Sequence, residues 1–346
     1  MRHFILFIAV IFLGLFLAVL NRTEQGKVIG GQPTLRVFGY SSFTGRWGPG
    51  PLLKEAFEKN CKCKVEFIEG SDSGILLQRL RIEGESLGAD LVVGLDQFDL
   101  SKAMDEQKWR SLSLGKLDVY ETVKPALSNN FFVPYDWGAL TFVARRGELN
   151  HVPVTLDDLL SSELSKKIAL QDPRTSSPGM QFLYWVVRSK GEEEGFKFLE
   201  KMMGQVHSFS PTWSTAYGLF TNKQAKIAYS YVTSPLYHEI EEKKKDYFAI
   251  SFTEPLPVQF EFVGIPEFCR HCDLAEQFVN LMLSNEGQKI IMEKNYMLPV
   301  MKGVRENSVF ANLPPMKTMD KFEILSTTEV DRLLKRWTEI RRGELN

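Results

Sequence analysis

The sequence has few of the features that mark enzymes, metal proteins or nucleic-acid-binding proteins. Its 346 residues carry a formal net charge of −1, from 42 Lys and Arg against 43 Asp and Glu. A nearly neutral chain has no overall field to steer it toward nucleic acid or an anionic membrane surface. It contains five histidines, none in an HExxH motif, and no Walker or dinucleotide-binding glycine pattern. These absences favour a binding function over a catalytic one and predict no cofactor and no nucleic-acid partner.

Cysteine is also scarce, and the four residues form two close pairs. Cys61 stands two positions before Cys63, and Cys269 three positions before Cys272. The combination is not a standard zinc spacing, and the two pairs are far apart in the chain. In an exported protein, close pairs favour structural disulfides, either within each pair or between the pairs, over a Cys/His zinc site.

The amino terminus carries an apolar run over residues 4–20, preceded by Arg2 and His3. Its length lies between the cores of signal peptides and the spans of transmembrane helices. We predict a secretory signal or an uncleaved membrane anchor there, followed by a polar tether, so that residues 1–34 precede the folded part. The rest of the chain is then expected outside the cytoplasm.

The remaining chain alternates short apolar strands with amphipathic helices, as in doubly wound α/β proteins. Strands are predicted at 34–40, 63–69, 89–95, 132–145, 167–171, 227–232, 248–252 and 261–264. Helices are predicted at 51–60, 75–84, 156–164, 179–189, 192–203, 215–222, 273–283 and 288–293.

Two segments are typical of crossings between domains: 133–138, at the start of a long extended stretch, and the proline-rich 254–257. They predict one lobe formed by residues 35–135 plus 254–346 and a second lobe formed by 136–253. Two such lobes enclose a cleft and can hinge on a ligand.

Small polar and aromatic residues stand where strands end and helices begin, the places that face a ligand crevice in α/β proteins. Asp72 and Ser73 precede one predicted helix, and Ser176 and Ser177 precede another. These side chains either cap the helices or hold polar and anionic groups of a ligand.

Aromatic residues occupy comparable positions. Tyr40 ends the first strand, and Tyr231 and Tyr237 flank a turn. Trp213 starts a helix whose Tyr217 and Phe220 continue a core-facing stripe. Rings at these places suit a flat, cationic small ligand.

Together these segments resemble the periplasmic thiamine-binding proteins of bacterial ABC importers. The matching segments, collinear from about residue 35 to 300, are Tyr40 with RWGPGP (46–51), the Cys61/Cys63 pair, Asp72 before LLQRLR (76–81), DLVVGLD (90–96), VPYDWG (133–138), QDPRTSSPG (171–179), WSTAYGLF (213–220) and SYVTSPLYH (230–238).

The resemblance implies a two-lobed class II periplasmic binding protein fold, an α/β fold with a ligand cleft between two mixed-sheet lobes. The implied ligand is thiamine, thiamine monophosphate or thiamine diphosphate, and the implied partner is an ABC permease in the inner membrane. The implied polar and phosphate contacts are Asp72, Ser73, Ser176, Ser177, Trp213, Tyr231, Val232, Thr233 and Ser234. The implied aromatic wall is Tyr40, Tyr237 and Tyr296. The implied location is the periplasm, with residues 4–20 as export signal or tether.

Two alternatives remain at this point. A ferric-iron-binding protein of the same fold would use Tyr231 and Tyr237 as phenolate ligands. A thiamine-cleaving enzyme of similar fold would need a free cysteine nucleophile in the cleft.

Overall fold

The structure, a computed structural model, describes residues 32–319 and 322–343. Its strands are β1 (Thr34–Tyr40), β2 (Lys64–Gly70), β3 (Leu91–Asp96), β4 (Phe132–Arg145), β5 (Ile168–Gln171), β6 (Val206–Ser210), β7 (Ile227–Tyr231), β8 (Tyr247–Ala249), β9 (Val258–Gly264) and β10 (Leu298–Pro299). Its α-helices are α1 (Ser41–Thr44), α2 (Gly50–Cys61), α3 (Ser73–Glu83), α4 (Leu100–Glu106), α5 (Ser177–Lys190), α6 (Glu192–Met202), α7 (Trp213–Thr221), α8 (Ser234–Glu241), α9 (Cys272–Leu283), α10 (Asn285–Asn295) and α11 (Thr327–Arg342). Within these two ranges, no helix is long and apolar enough to cross a membrane. The predicted signal or anchor at residues 4–20 lies outside them.

The strands form one mixed sheet in the order β2-β1-β3-β9-β4-β7-β5-β6, and β8 and β10 also pair with β4. The long strand β4 connects the two halves of this sheet. Its residues 132–139 pair with β9, and its residues 140–144 pair with β7. The predicted crossing at 133–138 therefore lies inside a continuous strand whose residues are all buried.

Two large apolar clusters mark the two lobes. One packs around β1, β3 and the first part of β4, and the other around the second part of β4, β5 and β7. The last helix, α11, buries Val330, Leu333, Trp337 and Ile340 in the second cluster. This packing differs from the sequence-based assignment of 254–346 to the first lobe, because the apolar stripe of α11 faces the other core. The division of the chain as a whole stays a prediction.

Most predicted elements are present within two or three residues of their expected ends. The helix predicted at 156–164 is wrong, since the chain forms two short 3₁₀ turns, Asp157–Leu160 and Ser162–Leu164. The Asp158 carboxylate accepts the N–H groups of Val154 and Thr155 at 2.9 and 2.8 Å, which favours a turn there over a continuous α-helix.

The four cysteines form two local disulfides, Cys61–Cys63 and Cys269–Cys272, and none of them is free. The prediction of structural disulfides is confirmed, and the zinc alternative is wrong. The free thiol that a thiamine-cleaving enzyme would need is absent from the described residues.

Candidate ligand-binding site

Asp72 joins the two lobes at the start of α3. Its Oδ1 accepts the backbone N–H of Ser73 at 2.8 Å, so the predicted helix cap is present. Its Oδ2 accepts the backbone N–H of Trp213 at 3.0 Å, at the start of α7 in the second lobe. Burial raises the pKa of Asp72, whereas these amides and the hydroxyls of Ser176 and Ser73 lower it. One carboxylate thus connects the starts of two helices from opposite lobes.

A second contact between the lobes lies beside it. The hydroxyl groups of Ser73 and Ser177 are hydrogen-bonded to each other and are buried. Gly74 packs closely against the backbone of Thr175, since a Cβ on Gly74 would lie 2.9 Å from its carbonyl carbon. Ser176 holds the N-cap position of α5 but makes no side-chain cap. The predicted pairs Asp72/Ser73 and Ser176/Ser177 are therefore brought together.

The second lobe positions Trp213 by two interactions. Its indole Nε1–H donates to Ser230 Oγ at 2.9 Å, and its ring stacks on Tyr217 with centroids 5.0 Å apart. Tyr217 and Phe220 are buried, as predicted for a core stripe. The Tyr217 hydroxyl is 2.9 Å from His238 Nε2. Trp213 itself is half-buried, so the second lobe presents its ring on a rigid support.

The turn from β7 to α8 supplies the next group of predicted residues. Ser234 Oγ is hydrogen-bonded to Ser230 Oγ at 2.7 Å. Val232 and Thr233 are buried, and the Val232 side chain belongs to the second apolar cluster. Tyr231 is half-buried and lies against Gly138 of β4, where a Cβ would come within 2.9 Å of the tyrosine ring. Of these residues, Ser234 is connected to Trp213, because Ser230 is hydrogen-bonded to both.

Tyr237 and Tyr296 form a separate contact between the lobes. Tyr237, on α8, is 40% exposed, and its ring meets that of Tyr296 edge-on at 5.4 Å. The Tyr296 hydroxyl donates to Glu241 Oε1 at 3.1 Å, and burial together with this carboxylate raises its pKa. Lys294 also lies 3.7 Å from Glu241. These two tyrosines meet at an edge of the cleft, where α8 faces the end of α10.

Tyr40 belongs to a buried polar cluster that sequence reasoning missed. Its hydroxyl donates to Glu261 Oε2 at 2.5 Å, and the Tyr135 hydroxyl donates to the same oxygen at 2.7 Å. Asn295 Nδ2 donates to Asp136 Oδ2 at 2.7 Å. Asp136 was in the predicted crossing segment and Glu261 in a predicted strand, but neither had a signal for a role at the site. The tertiary structure alone brings them to Tyr40.

Three buried carboxylates lie side by side on adjacent strands in this cluster. Strand pairing places Glu261 of β9 opposite Asp96 of β3 on one side and opposite Asp136 of β4 on the other. Their exposed fractions are 7%, 2% and 0% in that order. We call Asp96, Glu261 and Asp136 the acidic row.

The described residues contain no group of three His, Cys, Asp or Glu residues arranged to hold a metal ion. Tyr231 and Tyr237, the ligands expected by the ferric-iron alternative, lie against Gly138 and Tyr296 respectively. Their surroundings give that alternative no support.

The two-lobed α/β architecture, with strand ends and helix starts meeting between the lobes, defines a solute-binding protein of the class II periplasmic type. The chain belongs to the bacterial extracellular solute-binding protein family, whose model matches residues 53–318. This membership confirms the predicted fold class and the prediction that the chain is not an enzyme.

Individual relatives narrow the comparison. The chain is 37% identical over 269 residues to the thiamine-binding periplasmic protein of Salmonella typhimurium, covering 78% of this chain and 81% of that protein. It is 36% identical over 288 residues to the thiamine-binding periplasmic protein of Brucella suis, covering 83% and 85%. A solved structure, a periplasmic thiamin-binding protein, matches with a TM-score of 0.83 and 33% identity over 93% of this chain and 100% of that one. The resemblance noted from the sequence motifs is confirmed.

Proposed function

We propose that this protein is the extracytoplasmic component of an ABC importer that binds thiamine. The likeness to thiamine-binding relatives over most of the chain supports the ligand class. The observation that carries the proposal is the contact of Asp72 with Trp213 across the lobes. It supports a site where the Asp72 carboxylate, the start of the Trp213 helix and the hydroxyls of Ser73 and Ser177 contribute together.

In this proposal each type of side chain serves one part of the ligand. The carboxylate of Asp72 pairs with the aminopyrimidine or the positive charge, and the faces of Trp213 and Tyr231 stack on the flat rings. Cations over such faces gain about 0.5–2 kcal/mol. Tyr40, Tyr237 and Tyr296 complete the aromatic wall.

Thiamine phosphates are included in the proposal because of the start of α5. Ser176 and Ser177 stand at the N-terminus of a fourteen-residue helix, where free amides and hydroxyls favour an anion. Ser73, Val232, Thr233 and Ser234 are proposed to supply further polar contacts, Val232 and Thr233 through their backbone because their side chains are buried.

The remaining parts of the proposal concern place and partner. The protein acts in the periplasm, delivered by residues 4–20 as a signal or retained by them as a tether. Closure of the lobes on the ligand forms the surface that docks on a permease of the inner membrane.

The test is calorimetric titration of the full chain, freed of bound ligand by unfolding and refolding, with thiamine, its monophosphate and its diphosphate. Ferric citrate is the control. One-to-one binding of a thiamine species at least as tight as 1 µM, about −8 kcal/mol, and its release intact support the proposal. A folded protein that binds none of the three overturns it.

A further inference from the structure

The acidic row is an unusual arrangement for buried strands. Side chains directly opposite each other on neighbouring strands stand on the same face, and like charges there are destabilising. The pairing of β9 is irregular on both sides of the row, with shifts between Val93 and Leu95 and between Pro134 and Asp136. These irregularities lie within one or two residues of Asp96 and at Asp136, so the backbone departs from regular pairing beside the row itself.

No side-chain cation balances the row among the residues described. Glu261 accepts from the hydroxyls of Tyr40 and Tyr135 and, through Oε1, from Gln259 Nε2 at 3.1 Å. Asp96 Oδ1 accepts the backbone N–H of Phe98 at 2.7 Å. None of the three carboxylates forms an ion pair with Lys, Arg or His within residues 32–319 and 322–343. A buried charge in this position needs a counter-charge or a proton.

Two buried polar atoms at the row have no hydrogen-bond partner. They are Asp136 Oδ1 and Gln259 Oε1, on side chains that are 0% and 1% exposed. The other end of the Gln259 amide is bonded to Glu261, so this side chain is aimed at the row. These two oxygens are therefore available to accept a hydrogen bond from a positively charged donor, and the Asp136 carboxylate is also available to bind a proton.

The row adjoins predicted site residues. Tyr40 donates to Glu261 Oε2 at 2.5 Å, and Tyr231 packs against Gly138, two residues along β4 from Asp136. The carboxylates of Glu261, Asp136, Asp72 and Asp96 also raise the pKa of the Tyr231 hydroxyl, in addition to its burial. Titratable groups around the row come from three strands and two helix starts: Tyr40, Tyr135, Tyr231, Asp72 and Asp99. A nearby cation, Lys102 on α4, acts on Asp99 and forms an ion pair with Asp331 at 3.3 Å.

We infer that the acidic row selects ligands that carry a fixed positive charge, and that it holds a proton which the binding of such a ligand expels to water. The inference rests on the proposed function, because the thiazolium ring of thiamine supplies this charge. The inference adds to that function a group of carboxylates that makes binding depend on the charge of the ligand. This group lies behind the predicted contact residues and is separate from Asp72.

The titration properties of the row agree with this inference. Burial raises the pKa of Asp96 to about 6 and that of Glu261 to about 7, and burial and Glu261 hold the pKa of Asp136 well above its usual range. A cation nearby favours the ionised carboxylates and lowers these pKa values. The bound protein therefore holds fewer protons, and affinity for a cation should rise with pH through about 6 to 7.

The first experiment uses the unmodified full chain. It is titrated calorimetrically with thiamine and with a neutral analogue in which carbon replaces the thiazolium nitrogen, at pH 5.5 and 8, in buffers of different ionisation enthalpy. We expect at least about tenfold preference for thiamine at pH 8, a smaller preference at pH 5.5, and proton release with thiamine alone. Equal affinity for the two compounds, or binding without proton release, overturns the inference while leaving the proposed function intact.

Two variants assign the effect to the row. Glu261→Gln and Asp136→Asn should each lower the preference for thiamine over the neutral analogue by about tenfold and reduce the proton release. Glu66→Gln is the matched control, since Glu66 lies in the same lobe on β2 but its side chain is 58% exposed. An unchanged preference in both folded variants overturns the inference. If the unmodified protein binds no thiamine species, both the proposed function and the inference fail, and if one variant does not fold, the other and the unmodified protein decide.

Discussion

The two lobes bring different chemistry to the cleft between them. On the first lobe, buried carboxylates predominate: Asp72 at the start of α3, and Asp96 and Glu261 on neighbouring strands. On the second lobe, rings and hydroxyls predominate: Trp213 stacked on Tyr217, with Ser230 and Ser234 behind it. Asp136, on the strand that crosses between the lobes, extends the acidic side toward the junction.

Under the proposed function, the two sides would recognise a small cation by different physical interactions. Charges interact over several ångströms without contact, so the carboxylates of the buried acidic row can act on a ligand from behind the surface. Aromatic stacking requires contact and a fixed ring, so it sits on a supported helix start. Each side can be tested by a substitution that leaves the other unchanged.

The largest effect is expected where the two sides meet. Asp72→Asn removes the negative charge that is proposed to pair with the ligand, and hydrogen bonds to charged groups contribute about 1.5–3 kcal/mol, so thiamine affinity should fall by about 100-fold. Asn still caps helices well, so the melting temperature should change little. Isothermal titration and thermal unfolding monitored by circular dichroism measure the two effects. Unchanged affinity would remove Asp72 from the site.

The aromatic side is tested by Trp213→Ala. Loss of the ring and of its bond to Ser230 should lower affinity by about 30-fold, as expected for stacking worth up to 2 kcal/mol. Tyr217→Phe is the matched control, because it keeps the supporting ring and loses only the bond to His238. Affinity is measured by titration and stability by thermal unfolding. A large drop in melting temperature with unchanged affinity would show that Trp213 is a core residue only.

The acidic row should change how the stability of the ligand-free protein depends on pH. The pKa of Glu261, raised to about 7, exceeds its value in the unfolded chain, so the folded state binds more protons between the two values. This contribution to stability is therefore complete below about pH 4 and is lost as pH rises to about 7. We expect the melting temperature of Glu261→Gln to fall by several degrees less than that of the unmodified protein between pH 5 and 8. Parallel curves for the two proteins would contradict a protonated row.

The smallest effect is expected at the edge of the cleft. Tyr296→Phe removes the hydrogen bond to Glu241 but keeps the ring that meets Tyr237. That bond is partly exposed and contributes about 0.5–1 kcal/mol, so the affinity for thiamine should fall by less than about fivefold. Titration of this variant beside Tyr237→Phe separates the bond from a general effect of losing a hydroxyl. A loss as large as that of Asp72→Asn would place the main contact at this edge.

The sequence by itself determined most strands, most helices and the family, whereas β6 and β10 were not predicted. The continuous apolar stretch at 132–145 and the stripe of Tyr217 and Phe220 depend on local periodicity, which acts over a few residues. Helix starts at Asp72 and Trp213 were readable for the same reason. The cysteines were predicted to form disulfides, but their pairing was left open and the structure decided it. The helix α11 was not predicted, and the lobe assignment of 254–346 placed its residues on the other core.

Only the tertiary structure decided which of these ends meet and what lies behind them. The contacts of Asp72 with Trp213 and of Ser73 with Ser177 join residues more than 100 positions apart, as do those of Glu261 with Tyr40 and Tyr135. The acidic row depends on the register of three strands and on the irregular pairing beside it, and register is set by packing rather than by local preference. Each carboxylate of the row looks ordinary within its own strand, and its unusual environment comes entirely from the neighbours that folding places around it.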